Sequence, residues 1–186
     1  MSRRIPRLAM DMLAPAVAEA LGPRAARLGY LGEFFQCAGH QPEALLAFMT
    51  FTDAAKAGLP KKLVELVALT VAVRNANAYE RNQHERLSVR SGFGRDWVEA
   101  VERLAPAEQT LLTHEETLVQ TYVLKALERA GVGSAAAFEA VAEAIGHVQA
   151  VAIMMVIGRY VTHGLFVNTL ELAPPVPSVF EDGFTG

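Results

Sequence analysis

The fold of this chain is decided by the segment LVELVALTVAV, residues 63–73, which is apolar apart from Glu65 and Thr70. A helix that is apolar on all sides is normally buried in the centre of a protein. A carboxylate carried into such a helix must find a partner, raise its pKa or destabilise the fold. Glu65 is therefore the first residue for which we expect a functional explanation.

The segment that follows is the most polar part of the chain and supplies partners for that carboxylate. Asn77, Glu80 and His84 are three and four residues apart, so they share one stripe of a helix. Tyr79 and Gln83 flank this stripe. Histidine has the ordinary pKa nearest neutrality, and an adjacent carboxylate fixes its tautomer and stabilises its charged form. Two carboxylates beside one histidine in an apolar pocket are the parts of a proton-transfer site.

Plainer interpretations of the same residues stay open at this point. His84 can be a solvated histidine on a polar helix face, with Glu80 as a surface partner worth roughly 0.2–0.5 kcal/mol. A buried salt bridge would account for Glu65 without catalysis, and its candidate partners are Arg74, Arg81 and Arg86. A metal site is disfavoured, because the E-x-x-x-H spacing is not the E-x-x-H of di-iron bundles and too few carboxylates accompany it.

Hydrophobic periodicity and helix-breaking residues predict an all-α chain. We expect helices over residues 8–21, 25–38, 42–57, 60–75, 77–91, 96–104, 106–131, 134–146 and 147–170. Asp96 and Glu99 have the spacing of a capping box, and Ser134 is expected to cap the helix that follows it. No low-complexity linker interrupts the chain, so we expect residues 1–186 to form one domain. The proline-rich tail, residues 173–186, should lie across the surface or a neighbouring subunit.

Composition narrows the classes of function. Apolar residues make up 52% of the 186, which favours a homo-oligomer, whereas the longest apolar run, residues 150–158, is too short to span a membrane. A net charge of −3 without a basic cluster argues against nucleic acid as a partner. The single cysteine, Cys37, forbids an internal disulfide and favours a cytoplasmic location.

The order Leu59-Pro60, Glu65-Leu66, Tyr79-Glu80 and His84 resembles the carboxymuconolactone decarboxylase and alkylhydroperoxidase-D-like superfamily. In the peroxidase branch of that superfamily, two cysteines of a C-x-x-C and then a histidine follow the glutamate. The same offsets from Glu65, twelve, fifteen and nineteen residues, fall here on Asn77, Glu80 and His84, so neither cysteine is present. The resemblance covers about residues 36–172.

The resemblance implies a compact, multi-helix alkylhydroperoxidase-D-like bundle that assembles into trimers or hexamers and acts on a small molecule without a cofactor. Thiol peroxidase chemistry needs two thiols, so it is not expected with Cys37 alone. The branch without the cysteine pair implies a proton-transfer lyase or isomerase acting on a small organic acid or a lactone. The alternative is a non-catalytic oligomer or small-ligand binding protein.

The expected roles of the site residues follow from this resemblance. His84 would move the proton, Glu80 would orient the imidazole, and Glu65 would complete the relay from the neighbouring helix. Hydrogen bonds to the substrate are expected from Asn77, Tyr79 and Gln83. An anionic substrate would also need a cation, for which Arg81 and Arg86 are the nearest candidates in the sequence.

Overall fold

The computed structural model describes residues 5–181 and 184, and that part of the chain is helical with no strand. Its helices are α1 Pro15–Leu28, α2 Glu33–Ala38, α3 Pro42–Ala57, α4 Lys61–Arg74, α5 Ala78–Arg90, α6 Arg95–Glu102, α7 His114–Glu128, α8 Ala135–Ile145 and α9 His147–Thr169. Short 3₁₀ turns lie at Met10–Met12 and Pro106–Glu108. The predicted all-α fold is confirmed.

Helix α4 is the centre of the molecule, as its apolar sequence predicts. Every residue from Leu63 to Ala72 is buried, Glu65 included. The helix packs against α5, α6, α7 and α9, so it meets a neighbour on each side. Burial on all sides explains why no polar stripe is present in this helix.

A second apolar cluster connects the N-terminal helices to the start of α5 and the end of α9. Leu13, Val17 and Leu21 from the N-terminal region pack in the same cluster as Tyr79 and Val167. This packing brings α1 and α2 over the polar residues of α5. The N-terminal third of the chain therefore forms one wall of the region where the candidate site lies.

The N-terminal helix boundaries differ from the prediction. We predicted one helix ending near Gly22-Pro23 and a second over 25–38, but α1 continues through Pro23 to Leu28. Proline removes the hydrogen bond to the carbonyl four residues earlier, here that of the exposed Glu19, which water can satisfy. Gly29, with φ of 77°, ends α1 in the left-handed conformation and separates it from α2.

Helix starts in the second half also differ. The predicted helix from Pro106 is only a 3₁₀ turn there, and α7 begins at His114 because Thr113 and Glu116 form a capping box. The capping box predicted at Asp96 is not formed, since Gly94 occupies the cap position of α6 without a side-chain bond. Ser134 precedes α8, but its hydroxyl donates to the Gly131 carbonyl instead of capping the helix.

The last helix and the tail complete the fold. Helix α9 is long and apolar enough to cross a membrane by length and composition alone, a criterion that core helices of soluble proteins also meet, and it packs against α3, α4 and α8. The described part of the tail lies across α5 of the same chain. Asn82 Nδ2 donates to the Val176 carbonyl at 2.9 Å, and Arg86 Nε donates to the Pro177 carbonyl at 2.8 Å.

Candidate active site

Glu65 and His84, which lie nineteen residues apart in the sequence, are in contact in the structure. The turn between α4 and α5 folds the chain back, so the two helices pack side by side. Glu65 Oε2 of α4 then lies 2.6 Å from Nδ1 of His84 on α5. Both side chains are buried, with 4% and 5% of their residue surface exposed. The buried carboxylate is therefore paired with a histidine and not with an arginine.

The other nitrogen of the His84 ring has two partners. Nε2 lies 3.1 Å from Glu80 Oε2 and 3.0 Å from the Tyr160 hydroxyl. The Tyr160 ring meets the imidazole edge-on, at a centroid distance of 5.1 Å and an interplanar angle of 82°. Both ring nitrogens are thus held, one by α4 and the other by α5 and α9.

Glu80 is the residue through which the polar groups of the site are connected. Its Oε1 accepts a hydrogen bond from Arg159 Nη1 at 2.8 Å and lies 3.0 Å from His163 Nε2. Its backbone N–H donates to Asn77 Oδ1 at 3.1 Å, which caps the N-terminus of α5. Both carboxylate oxygens of Glu80 and its backbone N–H therefore have hydrogen-bond partners, which fix the position of the side chain.

The charges of the network follow from these contacts. Burial alone would raise the pKa of Glu80, but His163, Arg159 and His84 outweigh burial and hold this pKa well below its ordinary value. Burial alone would lower the pKa of His84, but the carboxylates of Glu65 and Glu80 outweigh it and raise this pKa. The resting site thus contains an ionised Glu80 and favours the imidazolium form of His84.

The neighbouring groups are neutral by the same reasoning. Burial lowers the pKa of His163 to about 4, so its ring is uncharged near neutral pH and donates Nε2–H to Glu80. Burial raises the pKa of the Tyr160 hydroxyl well above its ordinary value, so that hydroxyl keeps its proton. The positive charges in contact with Glu80 are therefore those of Arg159 and protonated His84.

A cavity of about 450 Å³ opens beside this network. Glu80, His84 and His163 form part of its wall, and Tyr30, Gly32 and Val176 form other parts. The basic residues of the wall are Arg24, Arg27, Lys56, Arg86, Arg90 and Arg159. Glu80 is the acidic residue among those that line it, and its charge is already paired with Arg159. The cavity therefore favours an anionic ligand.

The predicted substrate-binding residues are divided between the cavity and the scaffold. Tyr79 and Gln83 line the cavity, and the Tyr79 hydroxyl accepts a hydrogen bond from the Phe34 N–H at 3.4 Å. Asn77 does not line it and serves as the cap of α5. Of the two candidate cations, Arg86 lines the cavity, whereas Arg81 pairs with Glu85 at 3.1 Å away from it.

Sequence reasoning missed the contribution of α9. Arg159 and His163 are four residues apart in an otherwise apolar helix, so they share one stripe, and both are buried. This is the same anomaly that identified Glu65, and it could have identified them too. Lys56, at the end of α3, was missed because a lysine in the last turn of a helix is ordinary.

Within residues 5–181 and 184, no group of three or more histidine, cysteine, aspartate or glutamate side chains has an arrangement that could hold a metal ion. The carboxylates and imidazoles of the site are bonded to one another and to Arg159. The arrangement is suited to holding and moving a proton.

Solved structures show the class of this fold. A protein of unknown function from Agrobacterium tumefaciens has a TM-score of 0.68 at 22% identity, covering 75% of this chain and 96% of its own. An uncharacterized peroxidase-related protein with an alkylhydroperoxidase AhpD core, from Ralstonia eutropha JMP134, has a TM-score of 0.79 at 18% identity, covering 92% and 91%. A Cys-to-Ala variant of the debrominase Bmp8, in complex with 2,3,4-tribromopyrrole, has a TM-score of 0.76 at 15% identity, covering 93% and 92%.

A family model matches part of the chain. Residues 42–108 match the model of the Carboxymuconolactone decarboxylase family, and this stretch contains Glu65, Glu80 and His84. No curated protein matches the chain. This partial match and the shared AhpD-like fold confirm the predicted resemblance to the carboxymuconolactone decarboxylase and alkylhydroperoxidase-D-like superfamily. With one cysteine, the chain lacks the C-x-x-C pair.

Proposed function

We propose that this protein is a lyase or isomerase that transfers a proton to or from a carbon atom of a small organic acid or lactone. The observation that carries the proposal is the buried Glu65–His84–Glu80 network at the wall of a cavity rich in arginine and lysine. A histidine between two carboxylates supplies the acid and base forms, and the cavity supplies the binding energy for an anion.

In this proposal the two carboxylates have roles different from those expected from the sequence. Glu65 holds Nδ1 at 2.6 Å, so it fixes the orientation of the imidazole, a role that we had expected of Glu80. The proton available for chemistry is then the one on Nε2, beside Glu80 and Tyr160. Glu80 stabilises that proton and connects it to Arg159.

Tyr160 accommodates both protonation states of His84. A hydroxyl is both a donor and an acceptor. It can accept from Nε2–H in the imidazolium form and donate to bare Nε2 after the proton has left, at the same distance of 3.0 Å. The site can therefore lose and regain a proton without moving a side chain, which keeps the reorganisation during transfer small.

In a decarboxylation, the substrate carboxylate would leave as CO₂, and the carbon atom that keeps the bonding electrons would take the Nε2 proton of His84. The imidazole then regains a proton from water. In an isomerisation, the same nitrogen would remove a proton from one carbon atom and return it to another.

The alternative function is that of a non-catalytic ligand-binding protein. A Glu65 satisfied by an arginine, with no cavity beside it, would have favoured that interpretation. The structure instead pairs Glu65 with His84 and places His84 in the wall of the cavity. Thiol peroxidase activity is not part of the proposal, because Cys37 is the single cysteine and packs in the N-terminal apolar cluster.

The proposal is tested by screening small lactones and carboxylic acids in D₂O by NMR, which detects both release of CO₂ and deuterium at carbon. A hydroperoxide assay accompanies the screen. We expect His84→Gln to slow turnover of an identified substrate by about 10²–10⁴-fold, the range for loss of a general acid or base. His114→Gln, at an exposed histidine, is the matched control. Undiminished turnover in a folded His84→Gln variant would refute the assignment.

Homo-oligomer formation is also proposed. Helix α9 leaves an apolar stripe exposed on the side away from α4, which includes Val148, Val151, Met155 and Leu165. Their spacing of three, four and ten residues keeps them on one face. A contiguous apolar face of this kind is typical of a protein–protein contact, and a second copy of the chain is the partner that the composition favours.

A further inference from the structure

Lys56 lines the same cavity as the proton-transfer network but has no part in that network. It lies in the last turn of α3, and its Nζ is 5.1 Å from the centroid of the Tyr160 ring. His84 contacts the same ring at a centroid distance of 5.1 Å, and the Arg159 guanidinium lies over it at 4.3 Å. Lys56 and His84 are therefore both in contact with one tyrosine. Among the described residues, no carboxylate lies within salt-bridge distance of Lys56.

The surroundings of Lys56 increase the nucleophilicity of its amine. Burial, together with the positive charge of Arg159, lowers the pKa of Lys56 to about 8. Roughly a quarter of the amine is then neutral at pH 7.5, against about 0.1% for an ordinary lysine. Desolvation beside another cation is one of the ways in which proteins activate a lysine for attack on a carbonyl group.

Arg159 offers a place for an acid group next to this amine. The residue is buried and lines the cavity, and its Nη1 donates to Glu80. Its Nε–H has no hydrogen-bond partner among the described residues, although that atom is buried. A buried donor without a partner costs free energy, which a carboxylate oxygen in the cavity would recover. Arg24, in the same wall, adds a second positive charge.

We propose that Lys56 is a catalytic nucleophile that forms a Schiff base with a small 3-oxo acid whose carboxylate is bound by Arg159 and Arg24. The inference rests on the proposed function, because it uses the same cavity and names the substrate class. It adds a carbonyl group to the substrate requirements and a covalent intermediate to the reaction.

The steps balance without a further reactant. The neutral amine of Lys56 adds to the ketone carbon, one proton is taken up from the solvent and water leaves, which forms a protonated imine. The bond to the carboxylate breaks, CO₂ leaves, and the electron pair moves into the imine to give an enamine. The enamine carbon takes the Nε2 proton of His84, and water then hydrolyses the protonated imine to release the ketone and protonated Lys56. Lys56 returns its extra proton to the solvent, and His84 regains its proton from water.

The test is reductive trapping on the full chain. The protein is incubated with acetoacetate and cyanoborohydride at pH 7.5, and the adduct is measured by intact mass and located by peptide mapping. We expect labelling at Lys56 to exceed that at Lys62 by roughly tenfold or more, because Lys62 is half-exposed and paired with Glu116 at 2.9 Å. An excess of succinate, which has carboxylates but no ketone, should suppress the labelling.

Three variants complete the experiment. Lys56→Arg should lose the adduct, and Lys62→Arg should keep it. His84→Gln should keep it as well, because trapping precedes proton transfer. Loss of turnover in His84→Gln with trapping intact therefore supports both proposals, whereas intact His84-dependent turnover without trapping refutes the Schiff base alone. In the wild-type protein, labelling spread evenly over the lysines, or labelling that succinate does not suppress, would overturn the inference.

Discussion

Replacement of Glu65 by glutamine tests whether the buried pair with His84 is charged. The substitution keeps the size of the side chain and an oxygen that can accept Nδ1–H, but it removes the negative charge. Hydrogen bonds to charged groups contribute about 1.5–3 kcal/mol, and neutral ones contribute about 1 kcal/mol. We therefore expect Glu65→Gln to lower the free energy of unfolding at neutral pH by about 1–2 kcal/mol. For a chain of this length, the midpoint temperature would fall by roughly 2–8 °C.

The pH dependence makes this prediction specific to the charged pair. The pKa of His84 is raised in the fold, so the stability that the pair contributes is fully present below the unfolded pKa of about 6.5. It is lost as the pH rises through the folded pKa of His84. We expect the penalty of Glu65→Gln to be largest near pH 6 and to shrink at higher pH.

Urea unfolding of the wild-type protein and the variant at several pH values measures both effects. Glu99→Gln is the matched control, because Glu99 pairs with Arg103 at 2.8 Å but is 55% exposed. Surface pairs of this kind are worth about 0–1 kcal/mol. If Glu65→Gln is as mild as the control, or if its penalty does not change with pH, the buried pair is not charged and the proposed resting state is wrong.

Two further predictions concern other parts of the molecule. Burial and the charge of Glu85 raise the pKa of Glu102 from 4.5 to about 8, so the fold retains a proton that the unfolded chain has lost, and stability should fall as the pH rises from about 4.5 to about 8. Glu102→Gln should flatten this slope in urea unfolding at pH 5, 7 and 9, and a slope unchanged from wild type would contradict the assignment. Leu165→Lys, on the exposed face of α9 at 71% exposure, should reduce the assembled mass in light scattering, whereas Val132→Lys, at 61% exposure after α7, should not. A monomeric wild-type protein would contradict the proposed homo-oligomer.

Helices were predictable from the sequence where apolar pattern and local stop signals agree. Helix α3 runs from Pro42 to Ala57 as predicted, because proline suits a first turn and glycine follows the last residue. Predictions failed where a proline was taken as a boundary by itself. Pro23 is tolerated inside α1 at an exposed position, and Pro106 starts only a 3₁₀ turn. Local residues such as proline favour the start or the end of a helix, but the packing around them determines whether the helix continues.

The sequence by itself determined the central helix, the unusual position of Glu65 and the nineteen-residue spacing between Glu65 and His84. Because only a short turn separates the two helices that carry these residues, the side chains lie 2.6 Å apart. Tertiary structure alone decided what surrounds that pair. Arg159 reaches Glu80 from a position 79 residues further along the chain. Lys56 joins the same cavity from α3. Side chains so far apart in sequence meet only when their helices pack. Their summed charge makes the cavity beside His84 suited to an anion.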